Sequence, residues 1–292
     1  MRVFLTGATG FVGTHLRRAF HEAGIEVIGL TRRPTADLSD QWVQGDITDT
    51  ALLADGMVGS DVVINIVGII AEAESQSFTQ VHLAGTEAVL AAMRQTGVSR
   101  LLHMSALGAS QKGGTEYFRT KWQAEELVRA SGIAYTIFRP SLIFGPGDGF
   151  LNTLAAQIRL WPIIPIIGTG DYCFAPISVH AVCAAFMQAL QLNGPTQART
   201  FELCGPEVLT YRQLIGLLRR QLRMNKPRWY FPVPLVQRSI GLLRFFHLPP
   251  PITPDQLAML LQGSVCADAS ASASEVFALP LITVEEGIKE YL

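Results

Sequence analysis

Cysteine is scarce in this chain, only four in 292 residues, at positions 173, 204, 266 and 183, with no C-x-x-C pair and no metal-ligand spacing. That scarcity argues against both a disulfide framework and a zinc site, and it predicts four thiols in a reduced, intracellular setting. Charge is sparse as well. Lys plus Arg number 23 and Asp plus Glu 24, giving a net charge of −1, so no global field steers the chain towards nucleic acid. Long apolar runs are missing too. The longest uncharged stretch, 172–198, is interrupted by Pro176, Ser178, His180, Gln188, Gln191 and Asn193, so no membrane span is predicted. Met1 runs straight into a short apolar strand rather than a basic, long-apolar leader, so the start reads as mature protein and the expected location is cytoplasmic. Repeats and low complexity are also absent, apart from a brief Ala/Ser patch at 267–274.

What the chain does have is apolar content, 49% by residue, which is enough for a sizeable core. Short β-rich runs at 2–6, 26–31, 42–45, 62–68, 100–105 and 134–139 alternate with helical patterns at 11–23, 78–95 and 117–130. This alternation predicts an α/β fold: a doubly wound, parallel Rossmann sheet covered on both faces. After Gly205 the pattern changes to a basic helix, 211–222, and a Pro-punctuated aromatic stretch. The expected division is a dinucleotide-binding domain over 1–204 and a smaller C-terminal substrate lobe over 205–292, without a clear linker.

The run Thr6-Gly7-Ala8-Thr9-Gly10-Phe11-Val12-Gly13 fills the first strand-to-helix turn. Gly7 permits the tight turn, Gly10 admits a pyrophosphate close to the backbone, and Gly13 lets the helix pack, while the helix N-terminus offers free N–H groups. Three glycines also occur in plain connecting turns. Their place in the first turn of a βαβ pattern favours a nicotinamide dinucleotide, with Gly7, Thr9, Gly10, Phe11 and Val12 around it. The second strand ends in Thr31-Arg32-Arg33 and has no acidic residue until Asp37. An acid there would hold ribose hydroxyls, whereas arginines match a 2′-phosphate, so NADP(H) is expected over NAD(H) unless the pair is only a solvated turn.

Tyr117 and Lys121 stand four apart, on one face of a helix. A fixed ammonium beside a phenol favours tyrosinate, which makes Tyr117 a candidate proton donor or acceptor, and the same ammonium suits a ribose. An exposed helix with an incidental spacing is the plainer alternative. Ser105, at the end of the fifth strand, could polarise a carbonyl oxygen or merely bond backbone.

These motifs together resemble the extended and atypical short-chain dehydrogenase/reductases, within the NAD-dependent epimerase/dehydratase superfamily. The resemblance implies adenine contacts at Asp46 and Ile47, a nicotinamide-ribose turn at Val67 and Gly68, a carboxamide-facing strand exit at Pro140 and Ser141, and Tyr117 with Lys121 as the catalytic pair. This chain departs from that pattern at His82, where the family has asparagine, at Ala181, where it has an acid, and at Leu107, where a serine or threonine is common. The C-terminal runs 205–210, 251–257 and 284–288 narrow the similarity to the branch containing the NAD(P)H-binding accessory subunit of respiratory complex I and its bacterial relatives. Two functions follow: an NADP(H)-dependent oxidoreductase or epimerase-like enzyme for a small or lipid- or quinone-like substrate, or a non-catalytic NADPH-binding subunit of a membrane respiratory complex.

Between Val208 and Pro254 stand eight basic residues, Arg212, Arg219, Arg220, Arg223, Lys226, Arg228, Arg238 and Arg244, and no acid. Together with Trp229, Tyr230, Phe231, Phe245 and Phe246 they suit an anionic membrane surface, at the inner face, or contact with a respiratory complex. Rings packed on a substrate cleft with solvated arginines, or arginines that bind an anionic substrate, remain the other readings.

Overall fold

The computed structural model describes residues 1–292 except 36–39, 74, 193–195, 247–251, 268–272 and 274–275. Seven parallel strands form one sheet in the order β11-β6-β5-β4-β1-β2-β3. They are β1 (Arg2–Thr6), β2 (Glu26–Thr31), β3 (Gln41–Gln44), β4 (Val62–Asn65), β5 (Arg100–Met104), β6 (Ala134–Pro140) and β11 (Arg199–Leu203). Central strands such as β4, Val-Val-Ile-Asn, are buried at every position, which is why they read as continuous apolar runs and demand cover on both faces. Register is set by pairs such as Phe4 with Val63 and Ile64 with Leu102. The doubly wound sheet agrees with the sequence expectation.

By internal contacts the chain forms two units. The first comprises 1–140, 179–203 and 267–280. One face of its sheet packs Phe4, Val63, Leu101 and Ile137 against Leu53 and Met57 of α2 (Thr50–Met57) and Val89 and Met93 of α3 (Gly85–Thr96). A second cluster joins Phe138, Phe201, Phe277 and Phe186, the last from α6 (Val179–Gln191), at ring separations of 4.7–6.1 Å. α2 begins because Asp49 accepts the Leu52 N–H, and α4 (Glu116–Ala130) because Thr115 accepts that of Phe118. α1 (Phe11–Glu22) instead starts on Gly10, leaving its first N–H groups without a side-chain cap.

The second unit comprises 141–178, 204–266 and 281–292. Its core gathers Phe144, Ile164, Ile166, Phe174, Leu214, Leu218 and Ile288. Three two-stranded pairings brace it: β7 (Ile143–Phe144) with β10 (Ile177–Ser178), β8 (Ile164–Ile167) with β13 (Arg228–Phe231), and β9 (Cys173–Phe174) with β12 (Leu209–Thr210). Capping boxes open α7 (Tyr211–Gln221) at Thr210 and α9 (Pro254–Gln262) at Thr253. Lys226 closes α5 (Phe150–Leu160) by donating to the carbonyls of Arg159 and Trp161. Cys204 and Cys266 form a disulfide, correcting the expectation of four thiols. Sixty-two positions separate them, so the pairing leaves no local spacing signature; Cys173 and Cys183 are free.

Candidate functional site

Gly7 to Val12, Val67, Gly68 and Ser105 stand in the first unit at the C-terminal ends of β1, β4 and β5. Gly7 adopts φ 71°, and a Cβ there would lie 3.0 Å from the Val67 nitrogen, so the glycine-rich turn is seated directly against the turn after β4. A Cβ at Gly13 would fall 2.1 Å from the Gly7 carbonyl oxygen, which forces glycine where α1 crosses the turn. Thr9 and Gly10 are exposed at the start of α1, Phe11 is half-buried, and Val12 is buried beneath them. An uncapped N-terminus with exposed Gly10 and no Cβ in the way fits a pyrophosphate; these residues would hold the dinucleotide there.

Arg32 and Arg33 are exposed beyond β2, in a turn where the Thr31 hydroxyl donates to the Arg33 carbonyl over 2.7 Å. Asp37 lies outside the described residues. Asp46 is exposed and accepts from the Thr48 amide and hydroxyl, while the Ile47 side chain turns inward to pack where a Cβ on Gly85 would lie 2.9 Å away. Pro140 is buried, its carbonyl accepting the Leu107 N–H over 3.0 Å. Ser141 belongs to the second unit, where its hydroxyl donates to the Ser264 carbonyl.

α4 carries the titratable pair. Lys121 is 3% exposed and donates to the Met104 carbonyl over 3.1 Å. Burial pulls its ammonium down to about 8, partly offset by Glu125. Glu125, fully buried one turn further along, is held by Arg139 through two hydrogen bonds of 2.7 and 2.6 Å and by Arg129 at 2.6 Å. A Cβ on Gly68 would stand 3.1 Å from Lys121 Nζ, so the turn after β4 lies close against the ammonium.

Tyr117 sits edge-on to Phe78, His82 and Phe118 at centroid distances of 5.8, 5.5 and 5.3 Å. Its phenol is pushed up to about 12 by burial. This runs against the expectation that Lys121 would favour the tyrosinate: removal from water raises the phenol instead. Ser105 is buried with its hydroxyl unpartnered among the described residues, and so is His103 Nε2 on the same strand end.

Sequence reasoning did not anticipate the polar layer beneath these groups. Thr6 donates to Asn65 Oδ1 over 2.7 Å, Asn65 Nδ2 faces Thr86 Oγ1 and His103 Nδ1 at 3.4 and 3.3 Å, and Thr86 donates to the His82 carbonyl. Its one visible signal was the polar Asn65 ending an otherwise apolar strand.

Comparison with known proteins bears on the same elements. The NAD dependent epimerase/dehydratase family model matches residues 3–204. NADH dehydrogenase (ubiquinone) 1 alpha subcomplex subunit 9, mitochondrial, of Arabidopsis thaliana is 28% identical, covering 94% of this chain and 73% of its own. Ceramide reductase of Caulobacter vibrioides is 32% identical over 56% of this chain and 53% of its own. A farnesyl-dihydroquinoline-oxide ketoreductase of Stigmatella aurantiaca is 31% identical over 67% of this chain and 66% of its own. The chain thus spans between about half and three quarters of the length of these relatives. Among solved structures, MoeE5 in complex with UDP-glucose and NAD superposes with a TM-score of 0.79 at 18% identity, covering 99% of this chain and 96% of that one, which is a likeness of fold. The chain belongs to the NAD dependent epimerase/dehydratase family.

Proposed function

We propose that this protein is an NADP(H)-dependent reductase of a carbonyl group carried on an apolar, lipid- or quinone-like molecule. The observation that carries the reading is the pair on α4: a phenol and a buried ammonium one turn apart, with Gly68 packed against the ammonium. Nicotinamide, when bound, supplies the hydride. Tyr117 supplies the proton: raised to about 12, its phenol is fully protonated at neutral pH, the form that donates to an oxygen gaining negative charge. Lys121, near 8, is mostly charged at pH 7 and would hold ribose hydroxyls. Ser105, with its free buried hydroxyl, would donate to the substrate oxygen. Exposed Arg32 and Arg33 favour the 2′-phosphate. The ceramide reductase and the ketoreductase named for a farnesyl-dihydroquinoline oxide support the apolar substrate class.

A second reading, a non-catalytic NADPH-binding subunit, draws on the respiratory relative. Consumption of NADPH with decan-2-one or a short-tailed quinone, set beside NADPH affinity by fluorescence, separates the two. The reductase reading expects turnover that Tyr117→Phe lowers by about 100-fold, with affinity nearly unchanged. Tight NADPH binding without turnover, unaltered in Tyr117→Phe, would establish the subunit reading instead.

An apolar substrate also gives a role to the second unit's outer surface. In α8 (Val233–Phe245), Val233, Val236, Ile240 and Leu243 share one side and are half to fully buried. Leu235, Leu242 and Phe245 share the opposite side and are 54, 60 and 77% exposed, followed by Phe246 at 61%. Exposed Arg238 lies among them; the Arg244 side chain is outside the described ones. A helix apolar on two opposite sides has one side for its own core, and the other, in a segment with eight basic residues and no acid, suits an anionic bilayer surface. Among the described residues no helix is long and apolar enough to cross a membrane, so such contact is peripheral.

A further inference from the structure

We infer that His82 is a positioning residue, a neutral imidazole that clamps the turn after β4 to the helix bearing Tyr117 and Lys121. The inference rests on the reductase reading for its catalytic consequence but not for its geometry.

His82 lies in a six-residue π-helical turn, Thr79–Ala84, that leads into α3. Such turns insert one extra residue and re-aim the side chains they carry. Both ring nitrogens are committed. The Ile69 N–H points at Nε2 over 3.2 Å, so Nε2 must present a lone pair. Nδ1 stands 3.0 Å from Thr120 Oγ1. The Thr120 hydroxyl spends its single hydrogen on the carbonyls of Glu116 and Tyr117, at 2.9 and 3.1 Å, so it accepts from His82 and Nδ1 carries the proton. Two independent bonds therefore demand one tautomer. Burial and the nearby Lys121 ammonium keep the ring uncharged, holding it down to about 2.

The clamp joins the two parts of the site that must stay in register. On one side is the turn 66–69, whose Gly68 would bring a Cβ to 3.5 Å from His82 Nε2 and 3.1 Å from Lys121 Nζ. On the other is the N-terminal part of α4, held through Thr120, the residue just before Lys121. The ring itself stacks on Phe78 at 5.6 Å and forms part of the wall against which the Tyr117 ring rests. Its backbone is fixed independently, because Thr86 donates to the His82 carbonyl. A ring with both nitrogens bonded, gripping the turn and the helix at once, sets where the ammonium and phenol stand relative to that turn.

Three variants separate the two bonds. His82→Asn places an amide donor near Nδ1 and keeps the link to Thr120; His82→Gln places an acceptor near Nε2 and keeps the link to Ile69; His82→Phe keeps only the stack. NADPH affinity should stay within about threefold in His82→Gln and weaken about tenfold in both His82→Asn and His82→Phe, the loss of one well-made hydrogen bond. In the wild type, long-range proton–nitrogen NMR should show a single Nδ1–H tautomer that does not titrate between pH 5 and 9. Turnover should fall in both His82→Asn and His82→Gln, because each leaves one end of the clamp unbonded, and furthest in His82→Phe. A ring that titrates near its ordinary value, equal NADPH affinity in all three variants, or losses that follow melting temperature rather than the preserved bond would overturn the inference. If wild type binds NADPH without turnover while the affinity order and tautomer hold, the reductase reading fails and the clamp stands.

Discussion

Helices α4 and α8 break the same rule in opposite directions. α4 buries Thr120, Lys121 and Glu125 at 0, 3 and 0% exposure, whereas α8 leaves Leu235, Leu242 and Phe245 in solvent. A helix shaped only by its own core would reverse both choices. In α4 the inverted residues are tied to named partners: Met104, Arg129 and Arg139. In α8 the outward side chains stay 54–77% exposed, and Phe245 meets its neighbour Phe246 edge-on. The first pattern describes a polar cluster organised inside a fold, and the second an apolar side left facing solvent. Each can be broken by substitution, and the expected costs differ in size and sign.

The largest effect should come from Glu125→Ala. Arg139 would then lose its carboxylate and Arg129 one of two, keeping Glu126, at a cost of about 3 kcal/mol in urea unfolding. A cost below about 1 kcal/mol would show that the three side chains are not the tie between α4 and β6. Lys121→Met should act with the opposite sign. The folded state holds this ammonium near 8 against 10.5 when unfolded, so the unfolded chain binds its proton more tightly and folding carries that penalty at pH below 8. Wild-type stability from this group therefore rises between pH 8 and 10.5. Lys121→Met should be more stable by about 1–3 kcal/mol at pH 7 without cofactor, with the advantage shrinking to nothing above pH 10.5. No stabilisation at pH 7 would mean that the Met104 carbonyl fully compensates burial. Next in size, Arg32→Ala combined with Arg33→Ala should weaken NADPH by about tenfold, through lost charge-assisted bonds, and leave NADH unchanged. Equal losses for both cofactors would refute a 2′-phosphate role.

How much of this contrast was legible in the sequence depended on the range of the physics. β1, β4 and β6 announced themselves through continuous apolar runs, and the turn at Gly7, Gly10 and Gly13 through backbone need, because both signals are local. The pair Tyr117 and Lys121 was legible from helical spacing, but its electrostatics were not: burial beside Phe78 and His82, from another element, raises the phenol. Glu125 with Arg139, and Cys204 with Cys266, are pairings across 14 and 62 positions that only the fold creates. His82 stood out as a departure from its family without disclosing that both ring nitrogens would be used. α8 carries apolar residues on two opposite sides, which became distinguishable only once one of them was covered.

The smallest expected stability effect tests the outer side of α8. Phe245→Ser with Phe246→Ser removes two rings that are 77 and 61% exposed, so unfolding free energy should change by no more than about 0.5 kcal/mol. Binding to anionic vesicles should change far more, because each ring entering the acyl boundary contributes through apolar burial that salt does not screen. Arg238→Gln should do the reverse, lowering affinity at low salt by the share of one headgroup contact, about 1 kcal/mol, and leaving the high-salt remainder untouched. Co-sedimentation with phosphatidylserine-containing and neutral vesicles, at low and high salt, reads both parts separately. If the double serine variant sediments like wild type, the bilayer is not the partner of this surface. If it instead unfolds more easily by 2 kcal/mol or more, the rings pack within their own unit and α8 has only one apolar side, which would remove its contrast with α4.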